Sequence, residues 1–145
     1  MPFPKLLTLA LTLVLTFAVN PAQAQDDLPE SVFRDYDHMR EVLDTNMMSR
    51  QIGVVMRNFG ASDEMTPEQL TALENQVRGI FPQDFENADI ILRDELENGW
   101  VRELLAYYTG ISYIYVSVFY HKREDFVVVP FFRFNTDMLE LLTEF

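Results

Sequence analysis

Between residues 111 and 134 the chain carries two runs of alternating residues in which neither face is polar. On 111–121 one face presents Ile111, Tyr113, Tyr115, Ser117, Phe119 and His121. The other presents Ser112, Ile114, Val116, Val118, Tyr120 and Lys122. On 126–134 Phe126, Val128, Pro130, Phe132 and Phe134 alternate with Val127, Val129, Phe131 and Arg133. A half-exposed antiparallel strand shows one polar face, so a sheet built from these runs is expected to be covered on both sides. The charged stretch Lys122-Arg123-Glu124-Asp125 reads as the turn of a hairpin between them. The preceding stretch, 100–108, has the Leu, Ala and Glu content of a helix. Gly99 and Thr109-Gly110 bracket it as a strand, which would make a three-stranded meander. Proline cannot donate to a ladder, so Pro130 places the last strand at an edge or at a bulge. An edge strand rich in Val and Phe invites association. A homodimer or a protein partner is therefore expected to meet the 126–134 edge strand.

The first half of the chain has helical spacing instead. Pro29 suits a first helical turn, and Val32, Tyr36, Met39 and Leu43 follow at helical intervals. Met48, Ile52, Val55 and Phe59 repeat the pattern up to Gly60, as a second helix or as the end of one bent helix; the spacing fits both. Thr66, Pro67 and Gln69 form a capping box with proline at the first helical position, opening a helix with Leu70, Leu73, Val77, Ile80 and Phe81 on its apolar face. After Pro82 the spacing predicts a further helix from Gln83 that buries Phe85, Ala88, Ile91 or Leu92, and Leu96, and stops at Asn98-Gly99. Asn135, Thr136 or Asp137 can cap a short last helix through Leu142. Helices followed by an antiparallel run predict an α+β fold: several N-terminal helices on a small β-meander of two to three strands, with a short C-terminal helix.

Lys5, the apolar run 6–19, Pro21 and Ala22-Gln23-Ala24 follow the order of a secretory signal. Residues 1–24 are expected to be removed after Ala24, leaving 25–145 as one periplasmic or secreted domain. The apolar run falls short of the roughly 20 residues needed to span a bilayer. With no cysteine in the sequence, disulfides, thiolate ligands and a lipidated cysteine are excluded. The formal charge is −12, and −13 once Lys5 is removed. That excess disfavours nucleic acid and anionic lipid and favours a basic partner or a cationic ligand.

Two histidines, His38 and His121, are the residue type suited to acid–base chemistry near neutral pH. Asp35 and Glu41 flank His38 at helical spacing, but this is the spacing of ordinary surface pairs and lacks a zinc ligand set. No metal or other cofactor is expected. His121 paired with Glu124 or Asp125 is the low-ranking catalytic candidate: a small acid–base enzyme, with Tyr113 and Tyr115 as donors in a tyrosine-lined pocket. The chain has no phosphate loop, nucleophile elbow, His-Glu-x-x-His or EF-hand loop. The preferred expectation is a non-catalytic binding or interaction module for a protein partner or a small apolar ligand, contacted by Tyr113, Tyr115, Phe119 and Phe132.

With Trp100, Tyr113, Tyr115, Phe132 and Phe134 on a meander that follows helices, residues 83–134 resemble NTF2-like and cystatin-like α+β domains. The resemblance rests on element order. It implies a curved sheet packed around helices, with room for a pocket, and it transfers no functional residue.

Overall fold

A computed structural model describes residues 28–143. The expected signal peptide lies outside the described residues. The elements are β1 (Val32–Phe33), α1 (Tyr36–Met48), α2 (Ile52–Asn58), α3 (Pro67–Ile80), β2 (Asn87–Glu95), β3 (Trp100–Thr109), β4 (Ser112–Lys122), β5 (Val127–Asn135) and α4 (Met138–Leu142). All five strands form one antiparallel sheet in the order β1-β5-β4-β3-β2. The small meander of two to three strands expected from the sequence is therefore corrected to a five-stranded sheet.

Both additional strands have physical causes that periodicity hides. Asn98 (φ 57, ψ 31) and Gly99 (φ +83) adopt left-handed conformations, which suit a tight hairpin between right-twisted strands. They close β2 onto β3, from Glu95 opposite Val101 to Asn87 opposite Tyr108. The residues expected to form a helix after Pro82 are thus a strand, while 100–108 is the strand its bracketing turns indicated. At the other rim, Asp35 caps α1 by accepting from the His38 N–H. The helix starts at Tyr36 rather than near Pro29, and Val32 and Phe33 are left free to pair with Val128 and Val127. Arg50, at φ 57, separates α1 from α2.

Elsewhere local chemistry acts as written. Thr66 and Gln69 complete their capping box on α3, with Pro67 at its start. Asp137 caps α4 by accepting from the Leu139 N–H. The helices α1 and α2 bring Met39, Leu43, Met47, Ile52 and Val55, all fully buried, to the main core. Val101, Leu105 and Tyr107 of β3 and Ile114, Val116, Val118 and Tyr120 of β4 meet them there. The opposite sheet face buries Leu104, Ala106 and Ser117. The short α4 packs against β4 and β5 and contributes the fully buried Leu141. Among the described residues, the outer face is therefore covered over only part of its extent.

Pro130 sits in a bulge. Phe131 pairs with Phe119 and Val128 with His121, so Val129 and Pro130 together face the single residue Tyr120. Val127 and Val129 point into the core before the bulge, and Phe132 and Phe134 pack against it afterwards. The extra residue reverses the facing of β5 halfway along its length.

Candidate functional site

The structure divides the residues expected to contact a ligand. Tyr113 and Tyr115 lie on the outer face in a stack with Tyr108, with ring centroids 4.8 Å and 6.0 Å apart. Phe119 lies on the same face against Trp100 at 5.4 Å. Six residues of strand, about 20 Å, separate Tyr113 from Phe119. Phe132 lies on the inner face, against Phe59 at 4.8 Å. The four residues therefore line no common pocket. Rings stacked on one another use their π-faces internally and turn their edges to solvent.

His121 stacks on Trp100 at 4.4 Å, with ring planes 4° apart. Its Nε2 lies 2.9 Å from the Asn98 carbonyl oxygen. A carbonyl can only accept, so in the neutral ring this nitrogen carries the proton. Neither Glu124 nor Asp125 is bonded to His121 among the described residues. His38 takes the backbone N–H of Arg34 on its Nδ1 at 3.2 Å. Burial, followed by the nearby Arg34 charge, lowers its pKa below 6.5. Asp35 is used as the cap of α1. Among the described residues no three His, Asp or Glu side chains gather as metal ligands.

A polar network that the sequence reading missed lies under α1. Glu103 sits on the inner face of β3 with its side chain fully buried. Its Oε1 accepts from the Tyr36 hydroxyl at 2.9 Å, the Arg93 guanidinium at 2.9 Å and the Tyr120 hydroxyl at 3.1 Å. Its Oε2 has no hydrogen-bond partner, with Arg40 Nη1 at 4.0 Å. Arg40 forks onto Asp44 at 3.1 and 3.0 Å and donates to the Tyr36 hydroxyl at 3.1 Å. Tyr107 donates to Asp44 at 2.6 Å. Burial, reinforced by these carboxylates, pushes the Tyr107 and Tyr120 phenols far above their usual value. The visible signal was a carboxylate at 103, in phase with Val101, Leu105 and Tyr107 on an otherwise apolar face. The network joins α1 to β2, β3 and β4 and lines none of the clefts described here, so its geometry is that of a latch.

The open site lies at the opposite rim. A cleft of about 400 Å³ runs beside β5 and is lined by Ser31, Met56, Phe59, Gly60, Ala61, Glu64 and residues 128–132. It exists because β1 stops short. Ser31 takes φ 63 and donates its N–H to the Asn58 carbonyl at 2.8 Å, while Val32 N–H turns back to Pro29. The last contact of the β1 segment with β5 is the Val129 N–H donating to the Ser31 carbonyl. Gly60 is required at φ +95, where a Cβ would fall 2.6 Å from Ser31 Oγ. The end of α2 thus fixes the chain away from the sheet. Beyond Val129 the main chain of 130–135 has no strand neighbour on this side among the described residues, and Phe131 is 38% exposed.

No family model, curated protein or solved structure matches this chain.

Proposed function

We propose that this chain is a non-catalytic interaction module of an exported protein, and that it docks a protein partner on the open half of β5. The reading is carried by one observation: Pro130, Phe131 and Phe132 have no strand neighbour on the β1 side of β5 among the described residues, and they flank an apolar cleft. Unpaired N–H and C=O groups in a row are a template for another chain, and apolar hollows beside them accept its side chains. A site for a small apolar ligand would enclose most of the ligand surface, whereas this cleft is bounded on one side by the open edge. The setting outside the cytoplasm rests on the order Lys5, 6–19, Pro21 and Ala22-Gln23-Ala24. The acid–base alternative finds no support in the bonding of His121, whose ring is held by Trp100 and the Asn98 carbonyl.

The test is affinity capture from extracts of the protein's own cells with three baits. Wild type and Tyr113→Ala, altered on the outer face, are expected to retain the same partner, and Phe131→Asp to lose it. A partner that survives Phe131→Asp but is lost with Tyr113→Ala would move the site to the outer face and end this reading.

A further inference from the structure

Away from β5, the facing sides of α2 and α3 hold a second cleft, of about 360 Å³, whose lining includes Gln51, Gly53, Arg57, Glu74 and Arg78. It shares no lining residue with the cleft beside β5. We infer that this cleft is an oxyanion site. It takes a small organic molecule with a terminal carboxylate or phosphate, held by the Arg57 and Arg78 guanidinium groups.

Three features carry this. First, the charged groups converge on one spot. Gly53 is buried, and a Cβ there would lie 3.3 Å from Glu74 Oε2 and 3.4 Å from Arg57 Nη1. The bare glycine lets a carboxylate from α3 and a guanidinium from α2 approach the same stretch of backbone. Second, the acceptors are used up while donors remain. Glu74 accepts from the Gly53 N–H at 3.0 Å and from Arg78 Nε at 3.3 Å, so both its oxygens are engaged. Arg78 Nη2 donates to the Ser49 carbonyl at 3.4 Å. Among the described residues, Arg78 Nη1, the Arg57 guanidinium and the Gln51 carboxamide have no hydrogen-bond acceptor. Third, two guanidinium groups against one carboxylate make the lining net positive, in a chain that carries −12. Salt at physiological strength screens exposed charges beyond about 8 Å, so these near groups set the sign. Guanidinium forks pair with carboxylate and phosphate oxygens through parallel N–H bonds. Val54 and Leu70 lie in the same lining and give the carbon part of the ligand an apolar wall.

The experiment follows proton–nitrogen correlation spectra of the isotope-labelled protein, purified from its own cells, during titration with phenyl phosphate, phenylacetate and the cation phenyltrimethylammonium. Both anions are expected to shift amides of 51–57 and 70–78 saturably at millimolar concentration, and the cation to leave them in place. The anion that binds more tightly identifies the head group. Arg57→Gln should weaken binding about tenfold, the scale of one charge-assisted hydrogen bond. Its urea midpoint should stay at the wild-type value, because Arg57 is exposed. Arg57→Lys keeps the charge without the fork and should recover only part of the lost affinity. Equal anion affinity in wild type and Arg57→Gln would overturn the inference. So would the cation shifting the same amides, or the absence of a saturable shift with either anion.

Discussion

The two long strands near the rims of this sheet are built to opposite specifications. β2 carries Asp89, Arg93, Asp94 and Glu95, and its register with β3 shifts between Ile90 and Leu92. Charge and a bulge are two devices that keep a free edge from pairing with another chain. The two exposed isoleucines of β2, Ile90 and Ile91, lie where the ladder is already irregular. Arg93 is anchored to Glu103 and Arg102 to Asp94, so much of the edge charge is held in place by ion pairs. The open half of β5 reads Pro-Phe-Phe-Arg-Phe-Asn, with Arg133 as its single charge. One rim is guarded and the other exposes apolar strand beside a cleft. Both belong to one sheet, so the contrast is one of composition: charge at one rim, apolar aromatics at the other.

The largest effect expected is on the guarded side. Glu103→Ala leaves Arg93, Tyr36 and Tyr120 without their acceptor and should cost about 4 kcal/mol in urea unfolding, the scale of breaking a buried ion pair. Hydrogen exchange should then accelerate in β2 before β5; equal acceleration in both would show that the latch does not hold that rim. Phe59→Ala removes the wall shared by the cleft and the core. It should cost about 3 kcal/mol, read as a lowered Tm, and it would sharpen the contrast if β5 rather than β2 loses protection.

Alkaline pH tests the latch without mutation. Tyr107 and Tyr120 have folded pKa values raised above the ordinary 10.0. The stability they contribute is complete below pH 10 and is lost as pH rises further, because only the unfolded tyrosines then ionise. The expected loss is about 1.4 kcal/mol per pH unit for each tyrosine. Tyrosinate absorbance that rises together with unfolding, rather than ahead of it, is the expected signature. The smallest stability effects belong to the two rims themselves. Phe131→Asp and Ile91→Asp should each stay within about 0.5 kcal/mol of wild type in denaturant, as exposed positions do. Partner binding should fall only with Phe131→Asp. If Ile91→Asp abolishes binding instead, the roles of the rims are reversed.

The parts of the fold legible in the sequence were those whose local chemistry has one meaning. The Thr66 capping box, the strands on either side of the Lys122–Asp125 turn and the requirement of Pro130 for an edge or bulge are of this kind. Asn98-Gly99 has two meanings, since it can end a helix or close a hairpin. With Phe85, Ala88, Ile91 and Leu96 at plausible helical intervals, β2 was hidden. β1 is only two residues long and has no period to detect. The outer-face aromatics Tyr113, Tyr115 and Phe119 followed from simple alternation. Phe132 did not, because the extra residue at Pro130 turns it to the inner face. Glu103 was in phase with the core, but its partners come from α1, β2 and β4, and no spacing along the chain announces such a gathering.

The turned-out Ser31 has a consequence for tolerance to mutation. Its Oγ stands where a Cβ on Gly60 would fall, and its N–H and carbonyl tie the end of α2 to β5 through Asn58 and Val129. A side chain at 60 would therefore have to displace the one residue on which both the helix end and the strand depend.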